Sequence, residues 1–395
     1  MPREGERLHS MQGIYLDHAA TTPVRPEVVA AIQECFTVHF GNPSSPHAVG
    51  LAAEAAVRRA REQVAAAAGV SRDEVVFTSG GTEANNLALR GAARTVRRGG
   101  GTLLCSAIEH PSVLETVRAL QDEGFSVRQI PVDRSGAVRL DQLAELVDAN
   151  TRLVSVAYVN NEIGAVQDIA EVVRTVRQIN PDAVIHTDAV QALGKLPLAP
   201  WAWGVDLVSL SAHKIGGPKG VGALLVRRGT RLVPLLTGGE QEAGLRSGTE
   251  NVPGIVGFGL AAELAAAEMD DLARRLGRLR RRVVELVQER LPVAQVLGPP
   301  LAEAAPHIVN LALPGVKGEV MVRLLSEAGV YVSTGSACSA KKRVQSHVIA
   351  SLGVADELKE ASLRISLGRE TTEEDVERAA EEIVRAYEEL VQWRR

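Results

Sequence analysis

The sequence predicts an α/β protein whose mostly parallel sheet is covered by helices on both faces, followed by a smaller α+β domain. Between residues 74 and 210, short runs of Val, Leu and Ile alternate with helix-like segments, as in βαβ units. The chain has 395 residues, more than one compact core usually contains. A long helical stretch and then prolines separate this part from the remainder. We therefore expect a large domain over residues 15–264 and a small domain made of residues 1–14 and 265–395.

The predicted elements follow one another in a regular order. Helix-like segments come first, at residues 26–36 and at 52–68, the second rich in Ala, Arg and Glu without Gly or Pro. The strands of the sheet are predicted at residues 74–78, 102–106, 153–159, 183–187 and 206–210. The helices between them are predicted to end near residues 98, 123 and 179. The C-terminal part contains predicted strands at 307–313 and 363–367 and helices at 319–328 and 372–391.

The composition is that of an ordinary soluble globular protein. A net charge of -4 gives no general attraction to nucleic acid or acidic membranes, and aromatic residues at 3% leave few platforms for stacking bases. No uninterrupted apolar run reaches about 18 residues, and the N-terminus has no apolar signal region. Three scattered cysteines fit a reducing compartment and provide no C-x-x-C metal site. We expect a cytoplasmic protein that binds no metal, nucleic acid or membrane.

Polar residues gather directly after the predicted strands. They are Thr78 to Thr82, His110, Asn160, Asn161, Asp188, Gln191 and Ser211 to Lys214. In open α/β sheets the carboxyl ends of the strands form the edge where ligands bind. The sequence therefore predicts one binding site at this edge.

Three features of that edge point to one kind of cofactor. Lys214 follows a buried strand on a glycine-hinged backbone, where desolvation can make its amine nucleophilic, although a solvated lysine remains an alternative. The glycine-containing loop at residues 79–82 precedes a helix and suits a phosphate, or is only a tight turn. Asp188 needs a permanent partner such as a protonated ring nitrogen. Together these features are what pyridoxal 5'-phosphate requires, with His110 either stacked on its ring or structural.

Further motifs occur one after another along almost the whole chain. They are Tyr-Leu-Asp-His-Ala-Ala-Thr-Thr (15–22), Ser-Gly-Gly-Thr-Glu-Ala-Asn-Asn (79–86), Glu-His-Pro-Ser-Val (109–113), Val-Asn-Asn-Glu-Ile-Gly (159–164), His-Thr-Asp-Ala-Val-Gln (186–191), Ser-Ala-His-Lys (211–214), Arg-Ser-Gly-Thr-Glu-Asn (246–251), Gly-Ser-Ala-Cys (335–338) and Ser-Leu-Gly-Arg (366–369). With these motifs the chain resembles the cysteine desulfurases, in the class V aminotransferase group of fold-type I pyridoxal phosphate enzymes.

The resemblance implies a role for each residue of the cofactor site. Lys214 would bind the cofactor covalently, Asp188 would pair with the ring nitrogen, and His110 would stack on the ring. Gln191 and Asn161 would bond to the O3′ side of the ring. The phosphate would be held by Gly81, Thr82, Ser211 and His213, and by Thr249 of the second subunit of a homodimer.

The resemblance also implies a substrate and a reaction. Arg369, assisted by Asn42 and Asn161, would hold the carboxylate of L-cysteine, since a guanidinium matches a carboxylate bidentately. Lys214 would take the Cα proton, and the Cys338 thiolate would attack the substrate sulfur. L-alanine would leave and Cys338 would keep a persulfide. A sulfur-acceptor protein, either an iron–sulfur scaffold or a tRNA-thiolation enzyme, would then receive the sulfur. His110 could serve as the base that forms the thiolate.

Cys338 distinguishes this group from related enzymes. Its neighbours are small and polar, as in a mobile loop, whereas Cys35 and Cys105 lie in helix-like and strand-like segments and are expected to be core residues. The length of the loop fits the long-loop subgroup, but residues 341–345 depart from its usual sequence, which leaves the acceptor open. The arginine-rich run at residues 274–282 is either a solvated helix face or a docking face for an acidic partner.

Other functions remain compatible with parts of the pattern. A lyase or aminotransferase of the same fold would not need Cys338, and a docking protein that had lost catalysis would not need Lys214, Asp188 and Cys338 together. A selenocysteine lyase would use the same geometry as a cysteine desulfurase.

Overall fold

The structure is a computed structural model that describes residues 13–95, 100–335 and 345–393. In chain order the strands are β1 (Ile14–Tyr15), β2 (Val75–Thr78), β3 (Thr102–Ser106), β4 (Ser126–Ile130), β5 (Thr151–Ser155), β6 (Val184–Asp188), β7 (Leu207–Ser211), β8 (Gly222–Val226), β9 (Gln295–Leu297), β10 (Ile308–Ala312), β11 (Val330–Tyr331) and β12 (Ser362–Ser366). The helices are α1 (Pro26–Thr37), α2 (Ala48–Ala68), α3 (Gly81–Ala93), α4 (Pro111–Asp122), α5 (Leu140–Leu146), α6 (Ile169–Ile179), α7 (Pro200–Trp203), α8 (Val252–Arg290), α9 (Gly318–Glu327), α10 (His347–Ser351), α11 (Asp356–Glu360) and α12 (Glu373–Trp393).

The chain divides into two compact units. The larger unit contains Thr21–Asn160 and Val166–Asp271, and the smaller one contains the described parts of Met1–Ala20, Asn161–Ala165 and Leu272–Arg395. The boundary therefore follows residue 271, where the sequence predicted it at 264, and two short segments predicted in the large domain belong to the smaller unit. The physical reason for the first of them is strand pairing, because β1 pairs with β11 in the smaller unit.

The larger unit contains the predicted mostly parallel sheet. Its seven strands lie in the order β2-β8-β7-β6-β5-β3-β4 and are flanked by helices. Strands β4, β3, β5, β6 and β7 are parallel to one another, and β8 is antiparallel to both β7 and β2. Because β8 is antiparallel to both of its neighbours, β2 and β7 run in the same direction. The carboxyl ends of β2, β3, β6 and β7 consequently lie at the same edge of the sheet.

Apolar side chains fix helices α3 and α4 on this sheet. Leu87 of α3 and Val117 of α4 are buried in one cluster with Leu103, Leu153 and Leu207 of the strands. Apolar burial of this kind contributes about 25 cal/mol for each Å² removed from water, so it holds both helix N-termini firmly at the edge described above. The first turns of both helices thereby face the candidate site.

The smaller unit has two small sheets of its own. Strands β9, β10 and β12 form an antiparallel sheet in the order β12-β10-β9, and β1 pairs with β11 in parallel. Leu311 and Ile365 from this sheet are buried with Met321 of α9 and Ile383 of α12. The pattern of strands and amphipathic helices matches the α+β character predicted for this part of the chain.

Helix α8 belongs to both units and is unusually long. One window of 18 residues in it is apolar enough, by length and composition alone, to cross a membrane, and half of that window is buried inside the protein. Ile255 and Phe258 in its first part are core residues of the larger unit. A core helix of a soluble protein passes the same test. The sequence analysis required an uninterrupted apolar run and therefore did not detect this window.

Candidate active site

The predicted site residues of the larger unit meet at one edge of its sheet. Asp188 is the last residue of β6 and Ser211 the last residue of β7, while Gly81 begins α3 shortly after β2. His110 follows β3 and is the N-cap residue of α4. The predicted location of these residues at strand ends is thus confirmed, with one difference. Strand β5 ends at Ser155, where the sequence predicted 159, so Asn160 and Asn161 lie beyond it.

Asp188 is a buried carboxylate held by two neutral donors. Its Oδ2 accepts a hydrogen bond of 2.8 Å from Asn85 Nδ2, and its Oδ1 accepts one of 2.9 Å from the Val190 main-chain N–H. Neither of these two donors carries a charge. A buried carboxylate in such surroundings fits a cationic ring nitrogen, because charge is costly to bury without an opposite charge.

His110 is fixed by Ser112, the second residue of α4. The main-chain N–H of Ser112 donates to His110 Nδ1 over 3.1 Å, and Ser112 Oγ lies 2.8 Å from the same nitrogen. Ser112 Oγ also accepts a hydrogen bond of 2.8 Å from Asn85 Nδ2. The imidazole therefore has one nitrogen occupied by α4 and a defined orientation at the edge of the sheet.

The loop between β2 and α3 has the properties expected of a phosphate site. Gly80 has φ of 152°, which favours glycine, and a Cβ on Gly81 would lie 2.8 Å from Val190 Cγ2. The first N–H groups of any helix lack partners within the helix and carry partial positive charge, so an anion is favoured at Gly81 and Thr82. Glu83 is occupied elsewhere, since it accepts from the Ser79 main chain and from Arg246.

Ser211 and His213 lie on the turn that contains Lys214. Ser211 Oγ is buried and has no hydrogen-bond partner among the residues that the structure describes, so it can donate to a phosphate oxygen. His213 Nδ1 lies 3.2 Å from Thr21 Oγ1, and burial, with nearby Lys214 and other lysines, lowers the pKa of His213 to about 4. His213 is therefore neutral at physiological pH and can serve as a hydrogen-bond partner without adding charge.

Lys214 ends a short 3-10 turn that is tied to two other parts of the larger unit. The carbonyl of the preceding His213 accepts hydrogen bonds of 3.0 Å and 2.9 Å from the main chain and side chain of Thr22. The carbonyl of Lys214 accepts one of 2.8 Å from Lys195 Nζ. Burial and the charge of Lys214 lower the pKa of Lys195 to about 7. These contacts fix the backbone from which the Lys214 side chain extends.

Three further predicted residues also belong to the larger unit. Gln191 is buried three residues after Asp188, as predicted. Asn42 and Thr249 are both exposed; Asn42 Oδ1 accepts from the Ser44 main chain, and Arg246 ties the segment before Thr249 to Glu83 of α3. The predicted contact of Thr249 with a second subunit stays a prediction.

Asn161 and Arg369 belong to the smaller unit. The carbonyl oxygen of Asn161 accepts a hydrogen bond of 3.0 Å from Arg364 Nη1. Arg369 lies just after β12, is exposed and forms an ion pair of 3.3 Å with Glu370. A guanidinium on the surface of its unit can bind a carboxylate, and its role toward the substrate stays a prediction.

Cys338 lies outside the described residues, in the interval 336–344. The other two cysteines are described, and both are buried as predicted. Burial is the main cause that raises the pKa of the Cys105 thiol to about 12 and also raises that of Cys35. Since the thiolate is the nucleophilic form, neither is suited to attack a substrate sulfur.

Sequence reasoning missed three residues that organise the site. Asn85 and Ser112 stand within the quoted motifs but were given no role, and Lys195 was not considered. Asn85 follows Gly81 by four residues, so both lie on one face of α3, a spacing that could have identified it. Glu109 was also overlooked; it is fully buried, its pKa is raised to about 8 by burial, and its Oε1 accepts from Ser106 Oγ.

The residues at this edge of the larger unit therefore fit pyridoxal 5'-phosphate. The unpaired Ser211 hydroxyl and the start of α3 suit a phosphate, and Asp188 suits a ring nitrogen. Lys214 supplies an amine at the same edge of the sheet.

Comparisons with known proteins agree with this geometry. The family model of class-V aminotransferases matches residues 14–379. The cysteine desulfurase IscS of Methanosarcina thermophila is 43% identical over 379 residues, which are 96% of this chain and 93% of that protein. Among solved structures, a NifS-like protein has a TM-score of 0.89 and 38% identity, with 94% of this chain and 98% of that chain covered. The structure of SspA in complex with cysteine has a TM-score of 0.78 and 34% identity, covering 89% and 98%.

The matched region includes every described residue of the candidate site and extends over both units. The chain belongs to the class-V aminotransferase family of pyridoxal phosphate enzymes, and within it to the cysteine desulfurases.

Proposed function

We propose that this protein removes the sulfur of L-cysteine, releases L-alanine and retains the sulfur as a persulfide on Cys338. One observation carries the assignment of residues. Asp188, His110, Ser211 and Lys214 come from β6, β3 and β7 or the turns after them, and all lie at one edge of the sheet. In a cysteine desulfurase this edge is the catalytic site.

Pyridoxal 5'-phosphate, the cofactor of this family, supplies an electron sink for negative charge at the substrate Cα when it is bound. Lys214 would hold it covalently, and Asp188 would keep its ring nitrogen protonated. Its phosphate would be held by Gly81, Thr82, Ser211 and His213, with Thr249 of a partner subunit. Gln191 and Asn161 would bond to its O3′ side, and His110 would lie against its ring.

Lys214 would act as the base that removes the Cα proton of the substrate. For this step its amine must be neutral. His213 is neutral at physiological pH, so it adds no positive charge that would oppose proton uptake by the Lys214 amine. The protonated amine can afterwards return a proton to the product.

Cys338 would take the sulfur. Its thiolate forms a bond to the substrate sulfur while the bond between that sulfur and Cβ breaks, and the electron pair remains on Cβ until a proton is added. The substrate Cβ is thereby reduced, which gives alanine, and the two sulfur atoms are oxidised as they form the S–S bond of the persulfide. The buried thiols of Cys35 and Cys105, with raised pKa values, support this assignment by elimination.

Arg369 and Asn42 would bind the substrate carboxylate, with Asn161 assisting. The protein would work as a homodimer in the cytoplasm and would pass its sulfur to an acceptor protein. The acceptor would be an iron–sulfur scaffold or a tRNA-thiolation enzyme. The three scattered cysteines fit a reducing compartment and support this location.

The test is the balance of products. With L-cysteine and an excess of a small thiol as reductant, the enzyme should form alanine and sulfide in equal amounts, and Lys214→Ala should form neither. L-serine is the matched control substrate and should give no alanine, since it has no sulfur for Cys338 to attack. Formation of pyruvate and ammonia from L-cysteine would contradict the proposal, because these products identify a β-elimination lyase.

A further inference from the structure

A continuous chain of side-chain contacts connects Asp188 to His110. Asn85 donates to Asp188 Oδ2 over 2.8 Å and to Ser112 Oγ over 2.8 Å, and Ser112 lies 2.8 Å from His110 Nδ1. All four residues belong to the larger unit, and Asn85 is only 1% exposed. The bonds of Asn85 to Asp188 and Ser112 therefore lie in the protein interior, and the contact of Ser112 with His110 is partly buried.

The direction of the first two bonds follows from charge. The Asn85 atom that faces the Asp188 carboxylate must be the amide nitrogen, because an oxygen there would repel it. The same nitrogen donates its second proton to Ser112 Oγ. Asn85 Oδ1 is buried without a hydrogen-bond partner in the described ranges, so the two donor bonds alone fix this amide.

The direction of the last two bonds follows from the main chain of Ser112. A backbone N–H can only donate, so His110 Nδ1 must be an acceptor and carries no proton. One lone pair of Ser112 Oγ is already used by Asn85, and its own proton is available for the same Nδ1. A neutral His110 therefore has its proton on Nε2. Protonation of Nδ1 would set it against the Ser112 N–H, donor against donor.

We propose that Asn85 and Ser112 are positioning residues that fix His110 as the Nε2–H tautomer, with Asp188 as the fixed end of the chain. The inference rests on the proposed function, because it assigns what His110 offers at the catalytic edge: an N–H donor at Nε2. The sequence analysis considered His110 as the base for Cys338. With Nδ1 occupied, His110 instead donates a hydrogen bond or a proton from Nε2.

The direct test is nitrogen-15 NMR of the holoenzyme labelled in its histidine rings, with the His110 signals assigned by their loss in His110→Gln. The native protein should show an unprotonated Nδ1 and a protonated Nε2. Ser112→Ala removes the hydroxyl, the closer of the two donors to His110 Nδ1, and leaves only the main-chain N–H at 3.1 Å, so a fraction of the Nδ1–H tautomer should appear. Ser112→Thr retains a hydroxyl and should keep the native spectrum. Asn85→Leu should resemble Ser112→Ala, and Asn86→Leu, one residue further along α3, should resemble the native protein.

Kinetics provide a second readout. We expect kcat for L-cysteine to fall about 10-fold in Ser112→Ala with KM little changed, since wrong imidazole tautomers cost other enzymes even more. A protonated Nδ1 in the native spectrum would overturn the inference, as would a native-like tautomer in both Ser112→Ala and Asn85→Leu. If the same preparation still formed alanine and sulfide, either NMR result would overturn the claim about the His110 tautomer and leave the desulfurase function intact. The two claims can therefore be tested separately.

Discussion

Ser346 Oγ donates a hydrogen bond of 2.6 Å to Glu162 Oε2, and the same carboxyl group lies beside Gly335. A Cβ on Gly335, whose φ is 93°, would lie 3.0 Å from Glu162 Oε2. Within the smaller unit, Glu162 thus lies beside Gly335, which directly precedes the interval containing Cys338, and bonds to Ser346, the second residue after that interval. Burial raises the pKa of Glu162 in spite of its hydrogen bond to Ser346, which favours a protonated side chain.

A first prediction concerns this contact. Glu162→Gln keeps the shape of the side chain and an acceptor for the Ser346 hydroxyl, so the free energy of unfolding should change little. Glu162→Ala leaves a cavity and a buried Ser346 hydroxyl without this acceptor, so we expect a loss of about 1–3 kcal/mol in urea unfolding. Equal stability of the Ala and Gln variants would show that the contact contributes nothing.

A second prediction concerns pH and Lys195. Its pKa is about 7 in the folded protein, mainly because of burial, and about 10.5 in the unfolded chain. Between these values the unfolded chain binds more protons, so this lysine makes the free energy of unfolding rise with pH, by at most about 1.4 kcal/mol per pH unit. Lys195→Met should therefore be most stabilised relative to the native protein below pH 7 and lose that advantage as pH rises.

The control for this experiment is Lys219→Met, which removes an exposed lysine from the same loop as Lys214. Its unfolding free energy should run parallel to that of the native protein across the pH range. If the Lys195→Met curve were parallel as well, the lysine would have the same pKa folded and unfolded, against the structure.

A third prediction concerns Asp188. Asp188→Asn retains the shape of the side chain but removes the charge, and its amide would confront one of the donors Asn85 and Val190. We expect kcat to fall by about 100-fold or more, because preorganised charge is a large part of catalysis. Asp206→Asn is the comparison: Asp206 precedes β7 at the opposite edge and binds Arg177, so this variant should lose stability and keep its kcat.

The sequence predicted the architecture well because the alternation of apolar strands and helices is a local signal. It missed β4, whose residues are mostly exposed and polar, and β8, which follows a segment rich in Gly and Pro. The antiparallel insertion of β8 between β2 and β7 depends on pairing between distant segments, which no local pattern encodes.

The first layer of the candidate site was predictable for a similar reason. Residues such as Asp188 and Ser211 end apolar strands, and strand ends of a parallel sheet share an edge. Asn85 and Ser112 were not predicted, because a polar residue inside a helix gives no sign of whether it faces solvent or a buried carboxylate. Lys195 was missed since its contact is with a main-chain carbonyl 19 residues away.

The central claim is that Cys338 carries the sulfur. The most direct measurement is a single turnover with L-cysteine labelled with radioactive sulfur, followed by alkylation without reductant and peptide mapping. The account predicts one labelled peptide, that of Cys338, and no label in Cys338→Ser, which should still bind the cofactor. Label on Cys35 or Cys105, or full sulfide formation by Cys338→Ser, would contradict it.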